Sequence, residues 1–136
     1  MSFSTEYAGL KLKNPIIVAA GPWSRDGASI QRSIDAGAAA VVTETITLEA
    51  NQTPSPRLYL SGAGQLFNTT LFSGIHLEQW EQEFEALQRG DCKIIASIWG
   101  NTPSELAYLA GKVERMGADA IEVSISAPLG TRMDVG

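Results

Sequence analysis

The stretch NPIIVAAGP, Asn14 to Pro22, decides how the fold is read. A short apolar strand, Ile16 to Ala20, opens onto small residues and runs into RDGASIQRSIDAG, whose apolar spacing is helical. Small residues at the C-terminal end of a strand let backbone N–H groups approach a flat or phosphorylated ligand that bulkier side chains would block. Ser24 or Asp26 is placed to cap the helix, Ile30 and Ile34 form its apolar face, and Gly37 ends it. The following run AAAVVT, Ala38 to Thr43, is almost wholly apolar, as a parallel strand covered on both faces requires.

The strand-then-helix plan repeats outward from there. Ahead of it, TEYAGLKLKNP alternates loosely around Gly9 and reads as a small hairpin or cap. Behind it, residues 45 to 74 lose all periodicity and are rich in Gly, Pro, Asn and Thr, and a loop of that length in a compact domain is usually functional. Helical spacing returns with Leu77, Trp80, Phe84 and Leu87 on one face and Glu78, Glu81, Glu83 and Glu85 on a solvated one, with Gly90 as the stop. Lys93 to Ile98 is the third strand. Thr102 or Ser104 starts a helix whose Leu106, Leu109, Ala110 and Val113 face the sheet, Gly117 closes it, and Ala120 to Ile125 is the fourth strand. Strict alternation of this kind defines an α/β protein read as a single domain over residues 1–136. Two architectures satisfy it: the N-terminal half of a (β/α)8 TIM barrel, which complete needs about 250 residues, or a small open doubly wound sheet.

Composition narrows the function classes. With 136 residues, 44% of them hydrophobic, the chain can bury a core, and disorder and disulfide scaffolds are excluded. A formal charge of −5 with only 10 scattered basic residues argues against a nucleic-acid surface. The lone Cys92 has no internal partner, the N-terminus lacks a signal-peptide pattern, and no apolar run is long enough to span a bilayer, so a cytoplasmic protein is expected. No dinucleotide or P-loop glycine pattern, zinc-ligand spacing or nucleophile elbow is present. His76, the single histidine, sits at a helix start, where a surface role is expected, and Trp80 and Phe84 read as core.

Five stretches in order carry a resemblance to a known family: GLKLKNP, Ala19 to Gly21, Thr43 to Glu49 with SPR at Ser55 to Arg57, FNTTL around Asn68, and ADAIEVSISAP from Ala118 to Pro128. On these the chain resembles the dihydroorotate dehydrogenase superfamily, with its closest look to the pyrimidine-reducing domain of dihydropyrimidine dehydrogenase. The resemblance implies an FMN-binding TIM barrel that moves a hydride between flavin and a pyrimidine C5–C6 bond, of which this chain supplies the first half. It further implies flavin contacts from Ala19, Ala20, Gly21, Glu44 and Ser124, and substrate contacts from Asn68 and from Arg57 at the mouth of the site. A neutral amide such as Asn68 suits an imide edge because it donates and accepts at once. Turn and solvated-loop roles are the plainer readings of Asn68 and Arg57.

Three departures from the family pattern bear on catalysis. Glu44 stands where the family has a lysine beside the flavin N1–O2 edge, and a carboxylate there opposes an anionic reduced flavin unless it is protonated or turned away. Ser124 replaces the asparagine of the strand-four motif, and Ala127 replaces the cysteine or serine that exchanges a proton at the substrate. Ser126 is then the candidate catalytic residue, with Thr131 and Asp134 in the loop behind it. Two functions remain open: an FMN-dependent oxidoreductase acting on a dihydropyrimidine-like substrate, or a non-catalytic, partner-dependent half barrel that has lost flavin chemistry. In either case the expected partner is the remainder of the barrel, whether more of a longer chain, a second copy or another subunit, since loops after strands seven and eight usually grip the FMN phosphate.

Overall fold

The computed structural model describes residues 2–52 and 55–125. Its centre is a parallel sheet of β3 (Ile17–Val18), β4 (Ala40–Val42), β7 (Lys93–Ile98) and β8 (Ala120–Val123), laid side by side in chain order. Helix α1 (Gly27–Asp35) joins β3 to β4, α2 (Leu77–Ala86) precedes β7, and α3 (Pro103–Arg115) joins β7 to β8. Two antiparallel hairpins complete the elements: β1 (Thr5–Tyr7) with β2 (Leu10–Leu12), and β5 (Leu58–Leu60) with β6 (Leu66–Asn68).

Strand order and the sides of the sheet choose between the two architectures. A doubly wound sheet reverses direction at a switch point and carries helices on both faces. Here every step is to the next neighbour. Side chains alternate across the sheet, so Val41, Ile94, Ala96 and Ile98 pack with Ile30 of α1, Trp80 and Phe84 of α2, and Leu109 and Val113 of α3. Ala40, Val42 and Ile95 point the other way and meet Leu12 of the first hairpin, with Leu10 and Ile17 beside it. All three helices therefore cover one face and a hairpin covers part of the other, which is the singly wound plan of a barrel's first four strands.

Local chemistry fixes the helix ends. Asp26, not Ser24, caps α1, its Oδ1 accepting the Ser29 N–H at 2.7 Å, and Thr102 caps α3 by accepting from the Glu105 N–H at 3.2 Å. Gly37 and Gly117 follow α1 and α3 at φ of 97° and 91°, the left-handed conformation that ends a helix most cheaply in glycine. Helix α2 stops at Ala86, short of Gly90, because Gln31 of α1 takes over the backbone of Gln88: its Oε1 accepts the Gln88 N–H at 2.9 Å and its Nε2 donates to the Gln88 carbonyl at 3.2 Å. Glu83 also leaves the solvated face, accepting the Gly27 N–H at 2.7 Å and tying α2 to the start of α1.

The outer strands are shorter than the sequence implies. Pairing of β3 with β4 covers only Ile17 with Ala40 and Val18 with Val41, and Ala19 and Ala20 have already turned out of the ladder. In β8 the pairing ends at Val123 opposite Ile98. The larger difference lies in residues 45 to 74. Ile46 forms a parallel bridge with Ile98, and Leu58–Leu60 pairs with Leu66–Asn68, so part of the stretch read as irregular is a hairpin. Its side chains Tyr59, Leu60, Leu66 and Phe67 are exposed on both faces, which removes the alternation by which a half-buried strand is recognised.

Candidate functional site

The C-terminal ends of parallel strands gather what the strands themselves cannot use, since the last carbonyls and the loops beyond them have no ladder to join. At that end a cavity of about 250 Å³ is lined by Ala20 and Gly21 after β3, Glu44 and Thr45 after β4, Ser124 after β8, Asn68 at the end of β6, and Thr70, Leu71 and Phe72 after it. Five of the residues singled out from sequence, Ala20, Gly21, Glu44, Asn68 and Ser124, meet there. Ala19 does not. It lines a separate cavity on the hairpin side of the sheet with Tyr7, Ile17, Val42, Ile95 and Glu122. Ser126, Ala127, Thr131 and Asp134 lie outside the described residues.

The loops are positioned by backbone bonds. Ser24 accepts the Gly21 N–H through Oγ at 3.1 Å and the Glu44 N–H through its carbonyl at 3.0 Å, which joins the ends of β3 and β4. The Ile46 N–H donates to the Ser97 carbonyl at 2.8 Å, and the Thr45 and Ser97 hydroxyls share a 3.0 Å hydrogen bond, so the chain leaving β4 stays pinned to β7. Thr69 closes the hairpin base: its N–H and its hydroxyl reach the Arg57 carbonyl at 2.8 and 3.0 Å, and the hydroxyl also reaches the Pro56 carbonyl at 2.7 Å. Thr69, next to Asn68 in sequence, thereby holds the backbone of Arg57. The Asn68 Oδ1 accepts the Thr70 N–H at 2.9 Å, so this amide shapes its own turn while lining the cavity. Phe72 forms a wall, buried and stacked on Trp99 with ring centroids 4.8 Å apart.

Glu44 dominates the electrostatics. Its side chain is buried, and Oε1 is hydrogen-bonded and ion-paired to Nη1 of Arg57. Arg57 lines a neighbouring groove with Pro22, Arg25 and Asp26 and reaches the cavity only through this carboxylate. Burial pushes the Glu44 carboxyl up to about 7, against the pull of Arg57 and, more weakly, of Arg25. Oε2 of Glu44 and Oγ1 of Thr70 are buried with no hydrogen-bond partner among the described residues. Two such atoms on residues that line one small cavity are unusual, because buried polar groups are nearly always satisfied.

Thr45, Thr70, Leu71 and Phe72 were not singled out from sequence. Their adjacency to Glu44 and to Asn68 was the available signal, but a one-residue step along a loop carries no direction until the loop is folded.

Comparisons with known proteins agree on one family. The sequence profile described as Dihydroorotate dehydrogenase matches residues 2–132. A protein of Thermoplasma volcanium named dihydroorotate dehydrogenase B (NAD(+)), catalytic subunit, is 34% identical over 126 residues, 92% of this chain and 42% of the relative. Proteins of the same name are similar at 35% identity in Methanocella arvoryzae, over 94% of this chain and 42% of the relative, and at 40% in Methanosarcina mazei, over 88% and 39%. The chain spans about two fifths of the length of these relatives.

Proposed function

The chain belongs to the dihydroorotate dehydrogenase family, and from that premise we propose that it forms the first half of an FMN-dependent oxidoreductase barrel acting on a dihydropyrimidine-like ring. The observation that carries the reading is the convergence of Ala20, Gly21, Glu44, Asn68 and Ser124 on one cavity at the C-terminal ends of the strands.

The residues present fit the ring end of FMN. Glu44 Oε2 and Thr70 Oγ1 are polar atoms awaiting partners, and beside Gly21 there is open space, with nothing within 4 Å of where a Cβ would stand. Bound there, FMN would supply the two-electron chemistry that no side chain in the cavity offers. The chain's own part is placement. The backbone of Ala20 and Gly21 would give a surface free of bulky side chains for a flat ring, Phe72 closes one wall, and the Asn68 amide, its oxygen already engaged by the Thr70 N–H, would have its Nδ2 left to donate to a ring carbonyl. Ser124 offers a hydroxyl in place of an amide. Ser126 is the proton-exchange candidate, since Ala127 has no proton to give.

Closure of the site requires more strands. Among the described residues β3 and β8 each have one neighbour in the sheet, and the apolar Ile121 and Val123 of β8 are exposed. Unpaired edges of this kind take up further strands. We assign that role to the remainder of the barrel, from more of a longer chain, a second copy or another subunit.

A second reading, a non-catalytic family member, is favoured by the acid Glu44 at the heart of the cavity and by Ala127. The visible absorption of the purified protein, with its size-exclusion mass, separates the two. Flavin bands support the oxidoreductase, and a colourless or aggregating protein means that this chain alone is an incomplete barrel to which the family chemistry does not extend. In flavin-loaded protein, failure of the double variant Ala127→Cys, Glu44→Lys to oxidise a dihydropyrimidine would count against the family mechanism.

A further inference from the structure

Glu44 and Thr70 are the two described residues whose buried side-chain oxygens lack a partner, and both line the same cavity. Each atom has a defined capacity. With Oε1 committed to Arg57, the carboxylate has one oxygen left, which in its ionised form only accepts, whereas the Thr70 hydroxyl both donates and accepts. Leaving such atoms dry and unpaired costs about 1–3 kcal/mol each, so the cavity as folded favours whatever supplies the missing bonds.

We propose that Glu44 and Thr70 form a recognition pair for a neutral ring that presents an N–H donor beside a carbonyl acceptor, a lactam or imide edge, and that Glu44 is the residue selecting that edge. The N–H donates to Glu44 Oε2 and the adjacent carbonyl accepts from the Thr70 hydroxyl. The inference rests on the preceding reading for its choice of heterocycles, because a pyrimidine and the flavin ring both carry such an edge.

Arg57 makes the arrangement workable. Its guanidinium, joined weakly by Arg25 and opposed by Asp26, balances the buried carboxylate, so the pair is neutral as a unit while its free oxygen keeps the acceptor character of an anion. An anionic group at that point would meet Glu44, and among the described residues Arg57, the cation beside it, is already paired with that carboxylate. Above the pH at which Glu44 ionises, the cavity therefore accepts N–H donors and rejects carboxylates.

The test uses matched pairs of probes at mildly alkaline pH. The purified chain is titrated with uracil against 1,3-dimethyluracil, and with lumiflavin, which has no phosphate to be gripped, against 3-methyllumiflavin. Loss of a hydrogen bond to a charged acceptor corresponds to about tenfold or more in affinity. At least one N–H member is expected to bind about tenfold tighter than its methylated partner, and the pair showing the preference identifies the source of the ring. Glu44→Lys, which cannot accept, is expected to abolish the preference. Thr70→Val, at a half-buried position, serves if that variant does not fold: it removes the donor to the ring carbonyl, which both members of a pair carry, so it should weaken both members severalfold and leave the preference in place. Absence of binding by all four probes, equal binding within both pairs, a preference that survives in folded Glu44→Lys, or unchanged affinity of the N–H member in Thr70→Val overturns the proposal. Failure of the flavin pair alone counts against the flavin reading, while the uracil pair continues to judge this one.

Discussion

Raising the pH should destabilise this protein through one carboxyl. Glu44 ionises near its ordinary 4.5 when unfolded and at about 7 in the fold, where burial outweighs the attraction of Arg57. Between those values the native state holds a proton that the unfolded chain has released, so stability falls as pH rises. The favourable contribution is fully present below the unfolded value, is lost progressively up to about pH 7, and is flat beyond. At about 1.4 kcal/mol per unit the shift corresponds to about 3 kcal/mol, and because the group adjoins an open cavity the expected effect is on the order of 2 kcal/mol. Urea unfolding of the wild type and of Glu44→Gln from about pH 5 to about pH 8 reads this directly. The wild type should lose that amount relative to Glu44→Gln, whose amide does not titrate. Parallel stability profiles would refute the reasoning, and a wild type that gained stability over this range would show that Arg57, not burial, controls the group.

Three other outcomes follow from the same contacts. Arg57→Met leaves the buried carboxylate unpaired, so it should cost about 3 kcal/mol at alkaline pH and much less near pH 5, where Glu44 carries its proton; equal losses at both would deny the ion pair its role. Ser73→Ala removes the acceptor of the buried Trp80 indole N–H, a 2.9 Å hydrogen bond, and should cost about 1–2 kcal/mol in chemical denaturation, with a result near zero showing that the indole finds another partner. Asp26→Ala removes the cap of α1 and should cost about 1 kcal/mol, whereas Ser24→Ala, which leaves that cap intact, should act through the β3 and β4 loop contacts and change ring binding as well as stability; thermal melts with probe titration distinguish the two.

The regular elements were legible because each answers to local physics. The unbroken apolar run at Ala38 to Thr43 can only be a strand buried on both sides, and the spacing of Leu77, Trp80 and Phe84 only a helix with one buried stripe. The caps at Asp26 and Thr102 and the glycines after α1 and α3 are rules written within a few residues. The positions of Ala20, Gly21, Glu44, Asn68 and Ser124 were legible too, as a resemblance, because motifs keep their order along a chain whatever their distances in space.

What sequence could not decide depends on contacts between distant segments. Alternating strands and helices are the same string for a doubly wound sheet and for half a barrel; only the packing of α1, α2 and α3 against one face, with Leu12 against the other, separates them. The hairpin of β5 and β6 exists because Leu58 pairs with Asn68 and Thr69 holds the Arg57 carbonyl, and its exposed side chains leave no period to read. Above all, the sequence showed an acid at position 44 and an arginine at position 57, 13 residues apart, and nothing about their meeting. Tertiary structure turned Glu44 into a buried, half-satisfied carboxylate backed by Arg57, because burial and the pairing of one oxygen are properties of the space around a side chain, which the chain acquires only when its loops close.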